Sequence, residues 1–267
     1  MASLKGNIAF TGSLGNLSAY TRKGSNNIIL RTKGGASGKA IKTSPKFINT
    51  RRVMSEFGGA SSTAKNIKLA MTGVTHLDHR FFQNKLNAIC SRIQKLDTTS
   101  DWGQRSVLIS RYKNLLEGFN LEMGTLFDSI LKHPLHCHIN RADQSASITV
   151  PALFPGISLY VPGKFSFFRL VPVLGIIPDM QWDAKFKKYM PVNPAVQSYR
   201  DLKITEWFGV SAVCDEQIID MQIDRKTNIS DSDSFILSIG IEFGNPLTAS
   251  LIQPVKNAGA AKVVMLA

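Results

Sequence analysis

The nine residues from Phe235 to Phe243, FILSIGIEF, carry a large apolar side chain at every second position. Phe235, Leu237, Ile239, Ile241 and Phe243 fall on one side of an extended chain, while Ser238, Gly240 and Glu242 fall on the other. A period of two marks a strand, and five large apolar side chains on one face require a second layer to cover them. Gly244-Asn245-Pro246 follows as an end signal. IIDMQID (218–224) alternates in the same way, and 145–150, 157–161, 165–174, 196–207 and 260–266 are further strand candidates. Turn residues separate these runs and no strand-helix-strand alternation appears. The expected body over 136–267 is therefore an antiparallel β-sandwich.

Residues 44–135 read as helical. Ser44-Pro45 is a helix start, with Pro in the first turn. That helix is expected to reach Phe57 and stop at Gly58-Gly59. A short one follows over Ser62–Met71 and ends at Gly73. Thr75 and Asp78 form a variant capping box for a third, in which Phe82, Leu86, Ile89, Ile93 and Leu96 make an apolar stripe. Leu108, Tyr112, Leu115 and Phe119 predict a fourth helix, and Leu121–Leu131 a fifth, closed by His133-Pro134. Short amphipathic helices in series imply a small bundle.

Residues 1–43 form an arm rich in Gly, Ser and Asn. NLSAYT (16–21) and NIILRT (27–32) are strand-like, and the turn between them, around Gly24 and Asn26, predicts a β-hairpin. KGGASGKAIKT (33–43) reads as loop. The fold class is thus α+β: a basic arm with a hairpin (1–43), a small helical bundle (44–135) and a sandwich (136–267).

Charge is concentrated in the arm. Of the 32 Lys and Arg, ten lie within the first 55 residues, where no Asp or Glu occurs; residues 136–267 hold equal numbers of each sign. Such a field, screened over about 10 Å at ordinary salt, attracts polyanions or an acidic surface. No apolar run is long enough for a membrane-spanning helix, and MASLKGNIAF lacks the apolar core of a secretory signal. Three scattered cysteines make no disulfide framework. The expectation is a chain that is cytoplasmic as synthesised.

Signatures of chemistry are sparse. KGGASGKA (33–40) imitates a phosphate-binding loop, but Lys33 stands where the first Gly belongs and Ala40 offers no hydroxyl to a cation; the segment is also not expected to open a helix at Lys39. His133, His136 and His138 could approach a zinc-binding arrangement, yet no Asp or Glu stands beside them, and a polar loop entering a strand is the simpler reading. His76 and His79 are read as a polar helix start. There is no G-x-S-x-G, Cys90 sits inside an apolar helix face, and Cys214 neighbours Asp215 and Glu216, which disfavours a thiolate. No catalytic residue and no cofactor are assigned.

Gly12-x-x-Gly15, Tyr20, Gly24 and Arg31, followed by Pro45, Phe47 and Arg51, are spaced as in a set of uncharacterised basic proteins from Bacteroidota, which the first 55 residues resemble. The resemblance implies a glycine-, tyrosine- and arginine-marked arm ahead of a β-rich region. It implies no activity.

The functional expectation is a non-enzymatic structural subunit that self-assembles into a filament or shell with other copies of itself. Phe10, Tyr20, Gly24, Ile28, Ile29 and Leu30 would form the assembly arm, adding a strand to a neighbour or docking on it. Arg22, Lys23, Arg31, Lys33, Lys39, Lys42, Lys46, Arg51 and Arg52 would meet an acidic partner or a polyanion. The alternative is a nucleic-acid-binding or packaging protein that contacts phosphates through the same cations.

Overall fold

A computed structural model describes the chain apart from residues 1, 5–9, 23, 79–81, 123, 225–227, 249 and 257; for residues 2–4 and 122 it describes the backbone alone. The chain is α+β and divides into two compact units, residues 1–51 and 52–267.

The first unit is a four-stranded antiparallel sheet followed by a short helix. Its strands are β1 (Ala2–Leu4), β2 (Gly12–Leu14), β3 (Leu17–Thr21) and β4 (Ile28–Thr32), in the order β1-β4-β3-β2. β3 and β4 form the expected hairpin, with Ala19 opposite Leu30 and Tyr20 opposite Ile29. Gly24 sits in the turn at φ +86, a conformation glycine adopts without a Cβ penalty. β1 pairs with β4 and β2 with β3, so both edges of the hairpin are occupied by the chain itself. Residues 38–43 are not loop but helix α1 (Gly38–Thr43), because the Ser37 hydroxyl accepts a hydrogen bond from the Ala40 N–H and caps it.

Helix α2 (Ile48–Ala70) follows a 3-10 turn over Pro45–Phe47. Gly58-Gly59 does not end it. Two interior glycines weaken a helix by about 1 kcal/mol each, but tertiary burial prevails: Ala60, Ala64, Ile67 and Ala70 are all fully buried. Gly59 is required for packing, since a Cβ there would lie 2.7 Å from the Tyr189 ring.

Helix α3 (Phe82–Lys95) is shorter than expected. Thr75 lies within a 3-10 turn, Thr75–Leu77, and so caps no α-helix. The buried line of α3 is Phe82, Leu86, Cys90 and Ile93; Ile89 is half-buried and Leu96 exposed. The fourth expected helix is a pair of 3-10 turns, Ile109–Arg111 and Lys113–Leu115. The segment is tied down from both sides: Val107 and Met180 exchange backbone hydrogen bonds, and Asp179 accepts from the Ser110 N–H and hydroxyl. In place of the fifth helix stand strand β5 (Asn120–Glu122) and the four-residue helix α4 (Phe127–Ile130). Two long helices therefore occupy the region expected to be a bundle.

The strands that follow are β6 (His136–Asn140), β7 (Ser145–Val150), β8 (Phe167–Pro178), β9 (Met180–Asp183), β10 (Lys188–Pro191), β11 (Arg200–Leu202), β12 (Phe208–Gly209), β13 (Gln217–Gln222), β14 (Asp233–Pro246), β15 (Ile252–Pro254) and β16 (Ala260–Leu266). Residues 157–161 form no strand, and 196–207 contribute only β11. A seven-stranded sheet runs β11-β8-β14-β16-β5, with β12 also on β8 and β15 also on β14. β13-β7-β6 form a second sheet and β9-β10 a hairpin.

β14 is the axis of the second unit. It pairs with β8 from Asp233 to Gly244, and the strand continues to Pro246, past the expected stop at Gly244. Its apolar face (Phe235, Leu237, Ile239, Ile241, Phe243) meets Ile139, Ile148, Val150 and Met221 of the three-stranded sheet, forming a sandwich core. The opposite face is not solvent-exposed as its polar residues suggested. Ile236 and the alternate residues Val171, Val173 and Ile177 of β8 pack beneath α2 and α3. Small residues make that approach feasible. A Cβ on Gly175 would strike the Ala70 carbonyl, and one on Gly240 would lie 2.7 Å from Leu77. The unit is thus helix on sheet on sheet, with two cores separated by one sheet. Among the described residues, no helix is long and apolar enough to cross a membrane.

Candidate functional site

The cations of the first unit are mostly presented outward. Arg22, Arg31, Lys33, Lys39, Lys42 and Lys46 are exposed, and among the described residues none of them enters an ion pair. Arg31 shares a sheet face with Tyr20, its guanidinium 5.6 Å from the ring centroid. Two of the expected contact residues have other work. Arg51 donates to the carbonyls of Ile41 and Ser44, at 2.8 Å each, and closes the end of α1. Arg52 lies 5.3 Å over the Trp102 ring, with its stem against Gly103. Lys23 lies outside the described residues.

Phe10, Tyr20, Ile28, Ile29 and Leu30 are half-buried and Gly24 is exposed. Tyr20, Ile28, Ile29 and Leu30 lie in β3 and β4 of their own unit, and Gly24 in the turn between them. The phosphate-loop resemblance also changes. Strand β4 does lead into helix α1, against expectation, but the residue mismatches at Lys33 and Ala40 remain, and all pairings of β4 are antiparallel.

The three histidines at 133–138 do not converge. His136 and His138 project from the outer face of β6 and are exposed. His138 borders a polar cleft with Asp220, whereas His133 borders a different one with Cys137, Asp128 and Lys262. No group of three metal-ligating side chains exists among the described residues.

The structure assembles another constellation that the sequence did not single out. Glu242 on β14 lies directly across from Arg169 on β8 and is buried. Its Oε2 accepts from Arg169 at 2.6 Å, and its Oε1 is 2.6 Å from His76 Nε2. Burial alone pushes this carboxyl up, but hydrogen bonds from His76 and Arg169 hold it below the usual range. A carboxylate can only accept, so His76 donates from Nε2 and keeps Nδ1 for another partner. Arg169 is fixed in turn by Trp207, whose ring centroid is 4.5 Å from the guanidinium carbon.

Glu242 and His76 line a pocket of about 360 Å³. Leu77, Pro254, Val255 and Ala258 supply its walls, and Lys256 joins His76 and Glu242 as its charged lining. Among the described residues the lining contains no Ser, Thr or Cys; what it offers is oriented charge and a proton-carrying imidazole. The sequence signal was present in Glu242, the one charge within FILSIGIEF. The cover provided by His76 and the 3-10 turn was not legible. Comparison with protein families, with characterised proteins and with solved structures gives no match.

Proposed function

We propose that this chain is a non-enzymatic structural protein whose first unit docks on a polyanion, a nucleic acid in the first instance. One observation carries the reading: a compact sheet unit presents six exposed cations that enter no ion pair among the described residues, in a stretch that contains no acid. Copies of such a surface repel one another, so the compensating charge has to come from a partner of opposite sign. Phosphates supply it, and each contact releases counterions.

Fluorescence anisotropy of the full chain with single- and double-stranded DNA, titrated against salt, tests this. Affinity should fall steeply with salt, with a log-log slope up to about −5 for six phosphate contacts. Lys33→Glu/Lys39→Glu/Lys42→Glu should flatten that slope by about 3. Absence of binding to either DNA at low salt would sink the reading.

Self-assembly by strand addition is the second reading, and the outer edge of β2 favours it. Gly12–Leu14 is exposed throughout and Leu14 is 65% exposed. The receiving edge is then β2 rather than the hairpin, both of whose edges are filled. Electron microscopy of the full chain with and without nucleic acid separates the two: ordered assemblies of protein alone support strand addition, and their appearance only with DNA supports the first reading.

A further inference from the structure

The pocket beside His76 and Glu242 is independent of the basic unit and of the function proposed for it. Its charge pattern is specific. Glu242 has one oxygen on His76 and the other on Arg169, so its negative charge is already compensated. A cationic ligand would have to compete with two built-in donors for it. Lys256 is different: it is exposed, borders the same cavity and forms no ion pair among the described residues. With Glu242 compensated by Arg169, Lys256 leaves the charged lining positive even when His76 is neutral. The remaining walls, Leu77, Pro254, Val255 and Ala258, are aliphatic.

We propose that this pocket binds a small organic carboxylate with a compact apolar body. The carboxylate would lie beside Lys256 and His76, and the body against Leu77, Val255 and Ala258. A cavity of about 360 Å³ falls at the small end of ligand sites and suits a body of one ring or a short chain. His76 acts as a positioning residue. Held through Nε2 by Glu242, its ring is fixed in orientation, and Nδ1 is the atom left to meet a ligand.

The test uses the full chain, with benzoate and hexanoate as probes and benzamide and benzylammonium as controls, read by saturation-transfer difference NMR. Both carboxylates should bind at concentrations up to about 10 mM. Benzamide should bind about fivefold more weakly than benzoate, and benzylammonium more weakly still. Lys256→Ala should weaken benzoate about fivefold while leaving thermal unfolding unchanged, because Lys256 is exposed. Ala258→Phe should abolish binding of both carboxylates in a protein that keeps its circular dichroism. If that variant does not fold, Val255→Trp serves as the second filling substitution. Binding of benzamide or benzylammonium as tight as benzoate would overturn the anion assignment. Failure of both carboxylates to bind, or binding untouched by Lys256→Ala and by the filling variant, would overturn the site.

Discussion

The carbonyl oxygen of Ala70, at the end of α2, occupies the space where a side chain on Gly175 of β8 would begin. Helix and sheet touch backbone to backbone at this point. Gly175→Ala should therefore destabilise the protein by about 1–3 kcal/mol, the usual cost of overpacking. Gly59→Ala should do the same through the Tyr189 ring. Gly58→Ala should act oppositely: nothing lies within 4 Å of its Cβ position and its site is an exposed helix interior, so a gain approaching about 1 kcal/mol is expected. Urea unfolding of the three variants checks the sign at each position.

Asp97 organises the loop after α3. Its Oδ1 accepts from the Thr99 N–H and hydroxyl and from the Ser100 N–H, and its Oδ2 accepts from the Ser106 N–H at 2.7 Å. Burial would raise the carboxyl, but the hydrogen bonds from Ser100, Thr99 and Ser106 hold it well below the usual carboxylate range. A depressed folded-state pKa gives stability that is complete above the unfolded value and is lost as pH falls toward the folded one. Asp97→Asn should cost about 1–3 kcal/mol at pH 7, and the gap from the parent should narrow below about pH 4. Denaturant unfolding at neutral and acid pH measures both.

Glu242 and Arg169 form a largely buried pair, their side chains 8% and 22% exposed. Glu242→Gln should lower stability by about 3 kcal/mol, since it leaves the guanidinium uncompensated. Glu242→Gln combined with Arg169→Met should recover much of that loss. His76 has a side chain 57% exposed, and His76→Ala should cost under about 1 kcal/mol. A thermodynamic cycle on these variants separates the buried ion pair from the positioning histidine.

None of the cysteines is set up as a reactive thiol. Burial pushes Cys90 up to about 12 and Cys137 up to about 11, and it raises Cys214 together with the neighbouring Asp215. The native protein should react slowly with a disulfide reagent at pH 7.5, and all three thiols should titrate at once in guanidinium. A rapidly reacting thiol in the native state would contradict this placement.

Local pattern carried much of the architecture. Alternation in FILSIGIEF and IIDMQID placed β14 and β13, and NLSAYT with NIILRT placed the hairpin. What remained hidden was decided by distant partners. Gly58-Gly59 has the composition of a helix stop, and the distant side chains of Gln94 and Tyr189, the latter 130 residues further on, account for the glycine kept at 59. Leu108 to Phe119 carries helical spacing, but its backbone is held by Met180 and Asp179. Ser238, Gly240 and Glu242 read as a wetted face because polarity and smallness look alike in sequence. Gly240 is bare so that Val74 and Leu77 can lie close, and Glu242 is charged because Arg169 and His76 await it. The short strands β1 and β2 carry almost no periodic signal of their own and exist through pairing with β4 and β3.

β14 contributes alternate side chains to two cores and hydrogen-bonds to β8 on one side and β15 and β16 on the other. Neither core can loosen while the other remains intact, because the wall between them is one and the same backbone. A slip of a single residue would send Phe235 and Phe243 under the helices and Gly240 into the sandwich, emptying one core while overfilling the other. Amide protons from 235 to 243 should consequently exchange only through complete unfolding of the second unit, so that their exchange rates at neutral pH report its global stability.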